Sequence, residues 1–154
     1  MAGLNLGDLT VSSPAFEHGG RIPDEHTCEG EDVSPPLEWS AVPEGTRELV
    51  IICHDPDAPL TDGFTHWVAY GIAPDSGGIE EGGGPHTEGS NDFGSTGYGG
   101  PAPPPGHGTH HYYFHLYAID AELGAGPGLS RDEVLERIDE HIIEQARVVG
   151  TYSR

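Results

Sequence analysis

Apolar residues are concentrated in short blocks whose spacing is typical of β-strands. The run LVIIC (residues 49–53) is continuous, β-branched and followed by the turn sequence Asp55-Pro56-Asp57, which predicts a strand buried on both faces. Residues 66–72 (HWVAYGI) and 111–119 (HYYFHLYAI) are rich in aromatic and β-branched side chains and predict two further strands. Alternating apolar positions from Leu4 to Val11 predict one or two short strands near the start.

The strongest helical pattern lies near the end of the chain. Ser130 and Glu133 have the spacing of a capping box, and Gly150 is a residue type at which helices end. Between them the apolar residues follow a period of about 3.6, which predicts an amphipathic helix that covers a sheet. Its apolar face consists of Leu135, Ile138, Ile142, Ala146 and Val149.

Two long segments are expected to be loops. Residues 18–39 are rich in Gly, Pro and Asp, and Pro35-Pro36 excludes a helix or a central strand at that point. Gly and Pro are also crowded between Gly82 and Gly108, and an irregular loop of this length in a small domain is usually functional. These features predict a mainly β protein, an antiparallel β-sandwich with a C-terminal helix packed on it, formed by residues 1–154 as a single domain.

The charge of the chain is strongly one-sided. Asp and Glu total 26, against 6 Arg and no Lys, which gives a formal net charge of −20. Such a surface repels phosphate backbones and anionic headgroups, so a nucleic-acid-binding or membrane-surface protein is excluded. We expect adaptation to high salt, because a GC-rich genome that favours Arg over Lys does not explain so large an excess of acids. With no long apolar run and no leader pattern, we expect a cytoplasmic protein without membrane insertion.

The two cysteines do not predict a disulfide framework. Cys53 lies in an apolar run and is expected to be a small buried hydrophobic residue. Cys28 lies in a polar loop beside His26, where a reactive thiol is the less favoured of two interpretations.

Polar residues follow or open each of the three predicted strands. Asp55 and Asp57 follow the first, His66 opens the second, and His110 and His111 open the third. Strand ends are where loops meet and sites form, so these side chains are candidates for one site. The alternative is an Asp-Pro turn in which Asp57 caps backbone amides, together with structural histidines.

The tract YGGPAPPPG (residues 98–106) supplies exposed backbone beside these strand ends. Glycines let main-chain N–H groups approach a ligand closely, and such a nest can bind an anionic oxygen. The tract is not a phosphate-binding loop of the Gly-Lys-Ser type, since the chain has no lysine.

Five stretches, in order and covering nearly the whole chain, make the sequence recognisable. They are CEGEDVSPPLEW, DPDAP, GFTHWVAYGI, GYGGPAPPPGHGTHHYYFHLYAID and the ending VVGTYSR. The chain resembles the phosphatidylethanolamine-binding protein family, also called the Raf kinase inhibitor protein family, and most closely its small bacterial and archaeal branch. The resemblance implies a Greek-key β-sandwich with a small pocket that accepts phosphate, phosphate monoesters or phospholipid headgroups.

The resemblance also implies which residues line that pocket. The predicted ligand-binding residues are Asp55, Asp57, Phe64, His66, Gly100, Pro101, His110 and Tyr112. Two positions depart from the family pattern: His111 stands where Arg is common, and His107 is not part of the motif as known. An Arg is a permanent cation, whereas a histidine is charged only when protonated, so the pocket's charge depends on pH.

Three functions remain open from the sequence. The favoured one is a binding protein in which Asp55 orients a histidine and Gly100 amides receive the ligand's oxygens, with no cofactor and no metal. An enzyme would use Asp55, His66 and His110 as a base, an electrophile or a metal site, but no nucleophile motif is present. His107 with His110 across a loop remains open as a zinc pair. A regulator of an unspecified protein partner is the third.

A homodimer is also left open by the sequence. The candidate interface is an apolar patch near Phe16, Trp39 or Phe93.

Overall fold

The computed structural model describes residues 7–59 and 63–154, and within them eight strands form two antiparallel sheets. The strands are β1 (Thr10–Ser12), β2 (Leu37–Ser40), β3 (Glu48–Asp55), β4 (Phe64–Ile72), β5 (Gly78–Ile79), β6 (Thr87–Glu88), β7 (His110–Ile119) and β8 (Ile142–Tyr152). The smaller sheet has the order β1-β2-β5 and the larger β6-β4-β3-β7-β8. A 3-10 turn covers Asp24–His26, and helix α1 covers Arg131–Ile138.

Strand β3 lies in the middle of the larger sheet and is buried on both faces. Leu49, Ile51 and Cys53 point into a core shared with the smaller sheet, through residues such as Leu37 and Trp39. The alternate residues of β3 face a second core that α1 closes with its own buried apolar side chains. The fold class predicted from the sequence is confirmed: a mainly β antiparallel sandwich with a helix packed on it.

The predicted C-terminal helix is wrong in length. Its capping box is confirmed, because Glu133 N–H donates to Ser130 Oγ at 3.2 Å while Ser130 N–H donates to the Glu133 carboxylate at 3.0 Å. The helix nevertheless ends at Ile138, and β8 then pairs with β7 from Ile142 to Tyr152. Ile142, Ala146 and Val149 therefore belong to a strand. The segment is rich in β-branched residues, and pairing along the whole of β7 outweighs an apolar spacing that is also helical.

A strand also begins directly after the two prolines. Residues 35–36 are outside any strand, as predicted, but β2 starts at Leu37 and is the central strand of the smaller sheet. The expectation of loop through Trp39 is therefore wrong, because the proline restriction ends with Pro36. Near the start, β1 confirms one short strand, whereas Leu4 and Leu6 lie outside the described residues.

The proposed dimer patch is not a surface patch in this fold. Phe16 and Trp39 are buried in the main core, and only Phe93 of the three is exposed. Both cysteines are free, with Cys53 buried as predicted and Cys28 exposed. No helix among the described residues has the length and apolar character needed to cross a membrane.

Candidate functional site

The ends of three strands meet at one edge of the larger sheet. Because β3 is antiparallel to both β4 and β7, the last residue of β3 lies beside the first residues of its two neighbours. A cavity of about 240 Å³ opens at this edge, walled on one side by the proline-rich loop. It is lined by Asp55, Ala58, Pro59, Phe64, His66, Phe93, Ala102, Pro103, Pro104, His110 and Tyr112.

Asp55 uses both carboxylate oxygens within the protein. Its Oδ1 accepts the Asp57 backbone N–H at 2.7 Å, and its Oδ2 accepts from His110 Nδ1 at 2.6 Å. The Asp55 and His110 side chains are 3% and 4% exposed, so water does not compete for this bond. Asp55 therefore holds His110 in place.

His110 continues this chain of hydrogen bonds to the surface. Its Nδ1 carries the hydrogen donated to Asp55, and its Nε2 lies 2.7 Å from Nδ1 of His107. His107 is exposed on the loop between β6 and β7, flanked by Gly106 and Gly108, which have φ values of +78° and +99°. A carboxylate and two imidazoles thus connect the buried end of β3 with solvent.

His66 is the second buried imidazole of the cavity. Its Nδ1 donates to the Gly99 carbonyl at 2.7 Å, and since a carbonyl only accepts, the hydrogen lies on Nδ1. Nε2 is the nitrogen that remains for a ligand. Burial lowers the pKa of His66, against the opposing effects of the Gly99 carbonyl and the charge of Asp55.

Aromatic rings surround His66. The ring centroids of Phe64, Tyr112 and Phe93 lie 4.9, 5.2 and 5.4 Å from the centroid of the imidazole. Phe93 is 49% exposed and forms the rim. A Cβ on Gly99 would meet the Phe93 ring, so a glycine is required where that ring packs. Burial raises the pKa of Tyr112, so its hydroxyl keeps its proton.

Sequence reasoning placed Phe93 in a dimer patch and missed its place in the cavity. The two polar residues just before it, Asn91 and Asp92, are the sequence signal that the Phe93 backbone is held in place. Asn91 Oδ1 accepts the Phe93 N–H at 2.9 Å, and Asp92 Oδ2 accepts the Thr65 N–H at 2.8 Å. These bonds tie the loop to the start of β4 and fix the ring beside Phe64.

The glycines of the loop do not offer their amides to the cavity. Gly99 N–H donates to the His66 carbonyl at 2.9 Å, and Gly100 N–H donates to Asp32 Oδ1 at 2.7 Å. Prolines have no N–H, so Pro103 and Pro104 form a wall without donors. The backbone nest expected at Gly100 is therefore not formed in this conformation.

Asp57 and His111 form a pair outside the cavity. Asp57 Oδ2 accepts the His111 backbone N–H at 2.7 Å and its ring Nδ1 at 2.8 Å. Partial burial of Asp57 opposes ionisation, but the His111 hydrogen bonds and charge outweigh it and lower the pKa of Asp57. The histidine that replaces the family's common Arg thus faces an acid on the surface.

Five of the eight predicted ligand-binding residues line the cavity: Asp55, Phe64, His66, His110 and Tyr112. Asp57, Gly100 and Pro101 lie around it without lining it. Their role in binding stays a prediction.

The enzyme alternative gains no support from this geometry. Asp55, His66 and His110 do not bring three ligand atoms together, and among residues 7–59 and 63–154 only Glu25, His26 and Glu81 form such a group. His107 and His110 use their facing nitrogens on each other. Cys53 is buried, and burial raises the pKa of its thiol, so it is not an activated nucleophile.

Curated relatives share most of the length of this chain. A UPF0098 protein of the archaeon Methanothermobacter thermautotrophicus is 44% identical over 153 residues, which are 95% of this chain and 99% of that protein. The putative lipoprotein LppC of Mycobacterium tuberculosis is 42% identical over 146 residues, covering 94% of this chain and 72% of LppC. Because that relative is called a lipoprotein, the cytoplasmic location of this chain stays a prediction.

Solved structures match the fold closely. A putative phosphatidylethanolamine-binding protein homologue from Chlamydia trachomatis has a TM-score of 0.90 at 37% identity, covering 96% of this chain and 99% of its own. Escherichia coli YbcL has the same TM-score and coverage at 30% identity. The family model described as phosphatidylethanolamine-binding protein matches residues 12–153. The chain therefore belongs to the phosphatidylethanolamine-binding protein family.

Proposed function

We propose that this protein binds a small anionic ligand, namely phosphate, a phosphate monoester or a phospholipid headgroup, in the cavity at the end of β3, β4 and β7. The observation that carries the proposal is the pair of buried imidazoles, His66 and His110, in a wall that is otherwise mostly apolar. A volume of about 240 Å³ lies below the usual range for drug-sized ligands and suits a headgroup-sized one.

In this proposal, side chains rather than backbone amides donate hydrogen bonds to the ligand's oxygens. No Arg lines the cavity, and the Gly99 and Gly100 amides are already used. The donors are protonated imidazoles and the hydroxyl of Tyr112, whose raised pKa keeps it neutral. Asp55 acts as a positioning residue, because its hydrogen bond with His110 Nδ1 fixes the ring.

Affinity should depend on pH with a defined sign. The lowered pKa of His66 means that the free protein holds this ring neutral near pH 7. Its Nε2 then accepts a hydrogen bond but cannot donate one to an oxyanion. As pH falls, imidazoles gain charge and the monoanionic form of phosphate gains a P–O–H donor. Both changes favour binding at lower pH.

Titration calorimetry at pH 6 and pH 8 tests the proposal, with about 1 M KCl to screen the protein's negative field. Inorganic phosphate and sulfate are titrated in parallel, because sulfate has the same charge at both pH values and therefore reports the protein's titration alone. We expect tighter binding of both anions at pH 6. An affinity that does not change with pH for sulfate, or no heat from either anion, overturns the proposal.

Two variants locate the binding in this cavity. Tyr112→Phe removes one hydroxyl and should weaken phosphate binding about 2- to 10-fold, the net value of one neutral hydrogen bond. Tyr113→Phe is the matched control, because Tyr113 is next on the same strand but points to the opposite face. Equal losses in the two variants would place the ligand elsewhere.

The chemical source of the phosphate group is resolved by a ligand series. Inorganic phosphate, phosphoethanolamine and glycerophosphoethanolamine are compared under the same conditions. A gain with the last two indicates a headgroup ligand, because Phe64 and Phe93 offer aromatic faces to an ammonium group. A preference for inorganic phosphate indicates a free-phosphate ligand.

Three further properties are proposed with the function. We infer adaptation to high salt from the net charge of −20, and a cytoplasmic location remains part of the proposal. A homodimer remains part of the proposal, now with Phe93 rather than Phe16 or Trp39 as the exposed aromatic. Size-exclusion chromatography with light scattering tests it, and a monomer at all concentrations would contradict it.

A further inference from the structure

His26 lies on the 3-10 turn after β1, beneath two acidic side chains and apart from the cavity lining. Its side chain is 1% exposed, and its Nδ1 lies 3.0 Å from the Val33 carbonyl. A carbonyl oxygen only accepts, so Nδ1 carries the hydrogen. Nε2 is buried and makes no hydrogen bond with any residue that the structure describes.

Two carboxylates face this nitrogen. Glu25 Oε1 is 3.8 Å and Glu81 Oε1 is 3.7 Å from His26 Nε2, and all three atoms lie within 4.8 Å of one another. These separations exceed the 2.7–2.9 Å of a charge-assisted hydrogen bond. They are close to the spacing of two ligands on one ion, since bonds of about 2.1 Å at a tetrahedral angle place the ligand atoms about 3.4 Å apart.

The electrostatics of the group favour a cation. With its hydrogen on Nδ1, His26 presents a lone pair, and two negative oxygens converge on the same point. One imidazole nitrogen and two carboxylate oxygens suit Zn²⁺ and its first-row neighbours, whereas Mg²⁺ and Ca²⁺ prefer ligand sets made of oxygen alone. Both glutamates are half-exposed, which leaves a path from solvent.

The surrounding bonds orient His26 and hold the two segments of the group together. Donation of the second ring N–H to a backbone carbonyl, here Val33, is the usual support of a metal-binding histidine. The turn that carries Glu81 is joined to the same segment, because Gly82 N–H donates to the Ser34 carbonyl at 3.0 Å. Residues far apart in sequence are thus held in one group.

We propose that Glu25, His26 and Glu81 bind one divalent transition-metal ion of the Zn²⁺ class, with the remaining coordination positions open to water. The ion joins the turn at residues 24–26 to the turn that follows β5.

This metal site supports the wall of the ligand cavity from behind. The His26 carbonyl accepts the Tyr98 hydroxyl at 2.6 Å, and Cys28 N–H donates to the Pro101 carbonyl at 3.1 Å. A Cβ on Gly100 would collide with the His26 carbonyl, so the loop packs directly on this segment. A bound ion therefore stabilises the start of the proline-rich loop.

The test uses the full chain with a purification tag free of histidine, stripped with a chelator and titrated with Zn²⁺ at about 1 M KCl, where loose binding to surface acids is screened. Calorimetry should give one strong site per chain, and Co²⁺ should give a visible absorption band with the same stoichiometry. Zn²⁺ should raise the melting temperature of the wild type. No strong site, or a melting temperature unchanged by Zn²⁺, overturns the proposal.

One ligand variant and two controls test the assignment. Glu81→Gln keeps the shape of an exposed side chain and should lower Zn²⁺ affinity at least about tenfold. Glu80→Gln is the matched control, because it removes the same charge from the neighbouring exposed residue and should change affinity less than twofold. His107→Gln removes one member of the His107–His110 pair, the other place where zinc could bind, and should leave Zn²⁺ affinity unchanged. Full affinity in Glu81→Gln, or loss in Glu80→Gln or His107→Gln, contradicts the assignment.

Discussion

Replacing Asp55 tests how strongly the cavity depends on one buried carboxylate. Asp55→Ala leaves His110 Nδ1–H without its acceptor in a place where both side chains are less than 5% exposed. Leaving a buried hydrogen-bond donor without its acceptor costs about 1–3 kcal/mol. Asp57→Ala is the matched control, because it also removes one negative charge that a histidine faces. The His111 and Asp57 side chains are 48% and 41% exposed. Exposed ion pairs of this kind contribute about 0–1 kcal/mol to the free energy of unfolding.

Asp55→Asn removes the negative charge of the side chain and keeps nearly the same shape. The amide oxygen still accepts the Asp57 N–H, but its NH₂ group faces His110 Nδ1, which must give up its hydrogen. We expect the hydrogen to move to Nε2 and donate to His107, at a cost of about 1–2 kcal/mol, between the two alanine variants. Nitrogen NMR of the imidazole reports this change of tautomer directly.

The assay is urea unfolding at about 1 M KCl, with the free energy of unfolding compared at constant m-value. Asp55→Ala should lose several times more stability than Asp57→Ala. A loss below about 1 kcal/mol for Asp55→Ala, or equal losses for the two, would refute the argument that the His110 bond is worth more because it is buried.

Three other predictions concern charge and protonation. Melting temperature should rise steeply from low to molar KCl, at about 2–4 °C per kcal/mol of relieved repulsion, and a temperature indifferent to salt would contradict salt adaptation. In the protonated form of His110 the Nε2–H faces His107 Nδ1, so His107→Ala frees this donor and should tighten sulfate binding about 2- to 10-fold at pH 6, whereas His111→Ala should not; weaker binding in His107→Ala refutes this. Burial and the nearby Arg147 lower the pKa of His115 to about 4. Between pH 6.5 and 4 the unfolded chain therefore binds a proton that folded His115 does not, and this difference alone lowers the free energy of unfolding by about 2 kcal/mol from pH 7 to pH 4.5. His115→Gln should reduce that fall, measured by urea unfolding at both pH values, and an unchanged fall contradicts it.

The parts of the fold that follow local rules were predictable. The capping box, the doubly buried β3 and the strands that begin near His66 and His110 all follow from short patterns. The identity of β8 does not, because its spacing fits a helix as well as a strand and only the long-range pairing with β7 decides between them. The start of β2 was hidden for a different reason, since proline restricts its own position and the one before it but not the next.

In the candidate site, too, some features follow from local sequence and others depend on long-range contacts. Asp55, His66 and His110 could be brought together because antiparallel strand ends meet at one edge. The use of Gly100 N–H by Asp32, which lies 68 residues away in sequence, has no local signal. The contact of His107 with His110 depends on two glycines with positive φ, which the sequence permits but does not specify.

The central position of β3 has a consequence for the timing of motion in this molecule. Amides of β3 and of the adjoining parts of β4 and β7 are covered by packing on both faces and should exchange with deuterium last, near the rate set by global unfolding. Amides of the loop that contains Ala102 and His107 should exchange early. His66 and His110 thus lie on the strands expected to open last, whereas the proline-rich wall of the cavity belongs to the loop expected to open first. If the cavity binds a ligand as proposed, local opening of this loop lets the ligand enter and leave many times within the lifetime of a single folded molecule.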